Sequence, residues 1–122
     1  MKYIFDTNVL IDLQANRLPE TSKQFILTEI DKDFTISFIS YLEFHSFKFL
    51  TNSMKEFINL SLIIGINKKI IDLTIEKRIK TKVKLPDCII AATAIIYDRV
   101  LITSNLKDFN KIEGLKIYNP YS

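Results

Sequence analysis

The sequence predicts an α/β fold with a mostly parallel central sheet and helices on both faces, and three observations carry that prediction. Short β-prone apolar runs alternate with segments of helical spacing along the whole chain. Only two Gly and three Pro interrupt 122 residues, too few for linkers or long loops. The length suits one domain, residues 1–122, and alternating strands and helices close into right-handed βαβ crossovers.

Lys2–Phe5 reads as the first strand, stopping at Asp6-Thr7-Asn8, after which Val9, Leu10 and Leu13 recur at near-helical spacing. Pro19 opens a second helix to about Ile30, because a proline's missing N–H costs nothing in a first helical turn. Phe34–Ile39 reads as the second strand. Ser40 followed by Glu43 has the spacing of a capping box, with a helix continuing from Tyr41 to Leu50; Ser53 and Glu56 repeat the signature for a short helix to about Leu60. Leu62–Ile66 is too short for periodicity to separate strand from helix tail, and strand is the favoured reading. Asn67 caps a helix carrying Ile70, Ile71, Leu73, Ile75 and Ile79, which ends near Lys80–Lys84. Pro86 starts another, Asp87 to about Asp98, apolar all round and therefore expected to be buried. Val100–Thr103 is a strand, Ser104–Asn110 a loop or short helix, and Leu115–Tyr118 an edge strand.

Composition excludes several classes. Hydrophobic residues make up 48% and charged residues 25%, ordinary for a globular protein and unlike a disordered tail. The two glycines cannot build a Gly-rich phosphate cradle. The single cysteine, Cys88, cannot form an internal disulfide and is expected to pack in the core, so a reducing cytoplasm is the expected compartment. The start of the chain does not read as a signal peptide, and no apolar run approaches the roughly 18 residues that span a bilayer. Seventeen Lys and Arg against 14 Asp and Glu give a net charge of only +3, which by itself indicates no partner.

Ligands of parallel sheets gather at the carboxyl ends of the strands. The polar residues there are Asp6, Glu43, Asp87 and the pair Asn105 and Asp108. Each has a purely structural alternative: Asp6 as a helix cap, Glu43 as the partner of Ser40, Asp87 as a carboxylate favoured by a helix dipole, Asp108 as a solvated loop acid. Their convergence on one sheet edge is what caps alone do not require. Crowded carboxylates repel unless they protonate or bind cations, and hard oxygen donors without His or Cys suit Mg²⁺ or Mn²⁺. The chemistry such a site performs is metal-assisted hydrolysis of a phosphodiester. Phosphate contacts would come from Lys77, Arg78, Lys80, Lys82 and Lys84, the dense basic run leading into Asp87, although a lysine run at a helix end also simply complements the dipole. Lys68 and Lys69 are further candidates. His45, two residues after Glu43, points to another side of its helix and is not expected in the site. No stacking platform for bases can be read from the scattered Tyr and Phe.

The segments Phe5–Leu10, Ile36–Glu43, Leu85–Ala94 and Leu101–Phe109 resemble, in order and over essentially the whole chain, the successive signatures of PIN-domain ribonucleases, and among them the VapC-type toxins of bacterial toxin–antitoxin pairs. The resemblance implies a PIN-like three-layer α/β/α sandwich whose acidic pocket binds Mg²⁺, with Mn²⁺ as a substitute, and cleaves RNA. It implies Asp6, Glu43, Asp87 and Asp108 as catalytic residues, with Asp6, Asp87 and Glu43 on the metal and Thr7, Asn8, Thr103 and Asn105 supporting them. Many members carry an Asp where this chain has Asn105, so Asn105 and Asp108 compete for the fourth acidic position and a second metal ion is in doubt. It further implies an antitoxin whose carboxyl-terminal segment enters the acidic groove, and a homodimer. The aromatic excess of Tyr41, Phe44, Phe47 and Phe49 suits a groove that receives another chain. The alternative to the nuclease is a degenerate module that binds RNA or a protein without cleavage. A dehalogenase-like phosphatase needs an acid where Asn8 stands, and a receiver domain needs a Lys after a late strand that this chain does not offer.

Overall fold

In the computed structural model, which describes residues 1–121, five short strands and seven helices are found among the described residues. In chain order they are β1 (Tyr3–Phe5), α1 (Thr7–Gln14), α2 (Glu20–Lys32), β2 (Thr35–Ser37), α3 (Phe38–His45), α4 (Asn52–Ile58), β3 (Leu62–Ile64), α5 (Lys68–Thr81), α6 (Leu85–Ile96), β4 (Val100–Ile102), α7 (Leu106–Phe109) and β5 (Ile117–Tyr118). Every strand pair is parallel. β4 sits between β1 and β5, with Ile4 opposite Leu101 and Phe5 opposite Ile102. β2 pairs with β3, Ile36 opposite Ile63, and β1 lies alongside β2 to join the two ladders.

The alternation of strand side chains sorts the helices into two layers. Phe5, Ile36 and Ile102 point into a core shared with Val9, Leu10 and Leu13 of α1, Ile26 of α2, Phe44 of α3 and Ile58 of α4. Ile4 and Leu101 point the other way, onto Cys88, Ile90, Ala91 and Ala94 of α6, with Phe109 and Ile112. α5 packs against α6 on that side. The result is a three-layer α/β/α sandwich. Across the start of the strands, buried Arg99 ties three elements: its Nη1 donates to the Tyr3 carbonyl at 2.9 Å and to Asp33 Oδ2 at 2.8 Å, while Thr35 Oγ1 donates to Asp33 Oδ1 at 2.6 Å.

Two expected capping boxes are not made. Ser37, not Ser40, caps α3, its Oγ accepting the Ile39 N–H at 3.1 Å, so β2 is only three residues long and Phe38 and Ile39 are helical. Ser40 is buried, its hydroxyl donating to the Phe5 carbonyl at 3.4 Å across the β1–β2 seam. Thr51 rather than Ser53 caps α4, accepting from Met54 N–H at 3.1 Å. In both cases a hydroxyl earlier in the chain reaches the orphan N–H groups first, and the helix starts there. Asn67 caps α5 as expected, Pro86 sits in the first turn of α6, and Leu62–Ile64 is a strand. α6 is buried over Cys88 and Ile90–Ala94 but not all round, because Ile96 reaches solvent at the helix end. No helix is long and apolar enough to cross a membrane among the described residues.

Candidate active site

Asp6 stands where β1 becomes α1, and the backbone fixes it from both sides. Its N–H donates to the Ile102 carbonyl at 2.9 Å, extending the ladder by one residue, and its carbonyl accepts the Leu10 N–H at 3.4 Å, opening the helix. The carboxylate is then held by both oxygens: Oδ1 accepts the Thr7 N–H at 2.9 Å and Oδ2 the Thr103 hydroxyl at 2.7 Å. Only 7% of the residue is exposed. The capping role foreseen for Asp6 is therefore real, and it leaves one lone-pair direction on each oxygen for another partner.

Thr7 links Asp6 to the next acid, its Oγ1 donating to Glu43 Oε1 at 2.6 Å. Because α3 begins at Phe38, Glu43 lies beyond the helix's first turn and is not spent on a cap. Asp87, in the first turn of α6, faces the same hollow from the opposite layer. Thr103 closes the arrangement from behind, since the hydroxyl that donates to Asp6 also accepts the Asn105 N–H at 3.0 Å. Asp6, Thr7, Asn8, Glu43, Asp87 and Asn105 thus line one pocket of about 380 Å³, together with Ile11, Phe47, Lys84 and Pro86. Asp108 does not line it. Asp108 stands behind Asn105, whose Nδ2 donates to Asp108 Oδ2 at 3.3 Å, so the amide occupies the wall and the acid supports it.

The electrostatics follow from this crowding. Burial pushes the Asp87 carboxyl up to about 6, and the nearby charges of Asp6, Glu43 and Asp108 push the same way against the single opposing cation, Lys84. Asp6 is also raised, by burial first; the hydrogen bonds from Thr103 and Thr7 pull it back only in part, and Glu43 adds to the rise. An excess of negative charge at fixed positions is what a bound cation relieves. Among the described residues, no three His, Cys, Asp or Glu side chains close around a point tightly enough to cage a metal. The donor set fits Mg²⁺ nonetheless, because that ion keeps several waters and is ordinarily held by only one or two carboxylates.

Of the basic run, Lys84 alone lines the pocket. Lys77 is buried against the α6 side with Glu76 Oε2 4.0 Å from its Nζ, Lys80 lies 3.8 Å from Glu76, and Lys82 ends α5 in the left-handed conformation (φ 59°). Arg78 is exposed. Lys68 pairs with Asp72 beside a separate hollow that Lys69 also lines. His45 packs against Tyr41, ring centroids 4.4 Å apart and planes tilted by 55°, outside the pocket, and Cys88 is buried with its thiol toward the Val83 carbonyl at 3.3 Å. Phe47, one of the aromatics expected along a groove, is a wall of the pocket, whereas sequence reasoning did not single out Ile11. Both stand four residues after a polar wall residue, Glu43 and Thr7, which is the helical signal that would have found Ile11.

No curated protein matches the sequence. Solved structures do. A chain of a toxin–antitoxin complex from Klebsiella pneumoniae is 31% identical, with 98% of both chains covered and a TM-score of 0.76. A chain of VapBC-1 from nontypeable Haemophilus influenzae superposes over 100% of both chains with a TM-score of 0.82 at 24% identity, and one of VapBC2 from Rickettsia felis, bound to a DNA fragment from its promoter, over 98% of both at 0.77 and 23%. The family model of the PIN domain matches residues 3–115, a span that takes in every strand-end acid from Asp6 to Asp108, and the chain belongs to the PIN domain family.

Proposed function

We propose that the protein is a Mg²⁺-dependent endoribonuclease, the toxin of a toxin–antitoxin pair acting in the cytoplasm, with Asp6 and Asp87 as the principal metal ligands and Glu43 holding the metal or its water. The observation that carries this reading is the convergence of three carboxylates from both helical layers on one pocket at the strand ends, where burial first and the neighbouring acids second push Asp87 up to about 6. Similarity at 31% identity to a chain of a toxin–antitoxin complex supports the biological setting. A bound Mg²⁺, or Mn²⁺ in its place, would polarise the phosphodiester and acidify an attacking water.

The chain's own residues do the rest. Thr103 and the Thr7 N–H lock the Asp6 carboxylate in one orientation, and the Thr7 hydroxyl aims Glu43. Asn105, braced by Asp108, supplies a neutral oxygen or N–H at the fourth position. Asn8, exposed on the first turn of α1, faces the substrate side. Lys84 offers the incoming RNA backbone a positive charge at the pocket rim. Positioning and charge neutralisation account for catalysis, with no covalent intermediate on the protein.

The same reading assigns an antitoxin whose carboxyl-terminal segment closes the acidic groove, and a homodimer that covers Ile75 and Ile79, left 53% and 71% exposed on α5. The test is incubation of the purified protein with structured RNAs and Mg²⁺, alongside EDTA and Asp6→Asn controls. Cleavage by wild type alone supports the nuclease; wild type and Asp6→Asn behaving alike would reduce the chain to a binding module.

A further inference from the structure

Phe47 forms part of the wall of the acidic pocket, and Phe49 continues outward from it, the two rings meeting edge-on at 5.8 Å and 71°. Phe49 is 70% exposed. A single exposed aromatic needs no explanation, but this one is braced by a ring that belongs to the pocket and carries a cation over one face. Lys48 Nζ lies 5.7 Å from the Phe49 centroid, and among the described ion pairs Lys48 has no part. With the ammonium over one face of the ring and outside every described ion pair, the opposite face stays open, and a flat apolar face with a cation close by complements a nucleotide, a flat base with a phosphate close by. Lys84, on the rim of the same pocket, continues the positive track that a backbone would follow.

We propose that Phe49, buttressed by Phe47, is a stacking platform for one unpaired nucleobase flanking the cleaved phosphate, with Lys48 on that nucleotide's own phosphate. The inference rests on the nuclease reading and adds to it the residues that would hold a base beside the cut. Paired bases present only their edges, so a duplex cannot lay a base face on the ring.

Fluorescence anisotropy in EDTA, where cleavage is blocked, tests it with three end-labelled RNAs: a hairpin with an intact loop, the same hairpin with one abasic loop nucleotide, and a continuous duplex of matched charge. Wild type should bind the intact loop most tightly. Phe49→Ala should weaken that binding about 5- to 150-fold, the range for loss of one stacked base, leave the abasic and duplex affinities unchanged, and be rescued by Phe49→Trp. Lys48→Ala should weaken all three and lower the salt dependence by somewhat less than one ion. Equal effects of Phe49→Ala on all three RNAs, or none, overturn the platform while cleavage by wild type keeps the nuclease; a wild type that neither binds nor cuts removes both. If Phe49→Ala weakens only the binding of an antitoxin carboxyl-terminal peptide, the rings serve a protein partner and the platform is overturned as well. Because Phe49 is so exposed, unchanged melting of Phe49→Ala is the expected folding control.

Discussion

Removing the charge of Asp87 should make the metal-free protein more stable, which is the reverse of what most substitutions of a half-buried polar residue do. The Asp87 carboxyl titrates near 6 instead of 3.8, because burial and the surrounding acids oppose its ionised form. At about 1.4 kcal/mol per pH unit, that displacement amounts to about 3 kcal/mol against the folded state once the group is charged. Since the side chain is only partly buried, solvent screening reduces this to about 1–2 kcal/mol. The sign follows from proton uptake. The folded protein binds the proton more tightly than the unfolded chain, so the favourable contribution is complete below about pH 4 and is lost as pH rises through about 6. Asparagine never ionises and escapes that loss. Asp87→Asn should therefore melt about 4–8 °C above wild type at pH 7.5 in EDTA, given about 0.26 kcal/mol per degree for a chain of this length, and at about the same temperature near pH 4. Saturating Mg²⁺ should raise wild type more than the variant. Scanning calorimetry across this pH range decides the matter: a difference that does not change with pH, or a variant less stable than wild type at pH 7.5, would refute the electrostatic reasoning.

Thr103→Val removes the hydroxyl that donates to Asp6 and accepts from Asn105; it should cost about 1–3 kcal/mol in urea unfolding and lower kcat for RNA about tenfold, whereas Thr103→Ser should retain both. Arg99→Met leaves Asp33 with only Thr35 and strips the Tyr3 carbonyl of a donor; a loss of about 2–3 kcal/mol is expected at neutral pH. Burial works to raise the Asp33 carboxyl, but Thr35 and Arg99 hold it below its usual value, so that loss should shrink as pH falls through the native pKa. Ile79→Glu, on the exposed strip of α5, should convert the proposed dimer to a monomer by light scattering without altering the melting of the monomer.

The alternation of strands with helices and the strand-end acids were legible because they rest on periodicity, which the chain writes locally: Ile4 against Phe5 and Leu101 against Ile102 alternate between the two cores as β-strands must. The order of the strands across the sheet, β1-β4-β5 and β2-β3, is set by tertiary pairing and was not legible. What could not be read was where α3 begins. Phe34–Ile39 is uniformly β-prone, and Ser40 with Glu43 offers a plausible start, yet the neighbouring strand β3 pairs only as far as Ser37, where a hydroxyl is free to cap. Local sequence offered two serines and tertiary pairing chose between them. The basic run divides for a related reason: charge counts residues but not faces, and Lys77 turns inward where Lys84 turns to the pocket. The shift in α3 has a functional consequence. A helix begun at Ser40 would bind Glu43 to its own first turn as a cap partner. Begun at Ser37, it carries Glu43 past the orphan N–H groups and delivers its carboxylate to Thr7, beside Asp6 and Asp87. Glu43, which a capping box with Ser40 would have explained as a purely structural residue, thus makes its only side-chain hydrogen bond among the described residues to the candidate site.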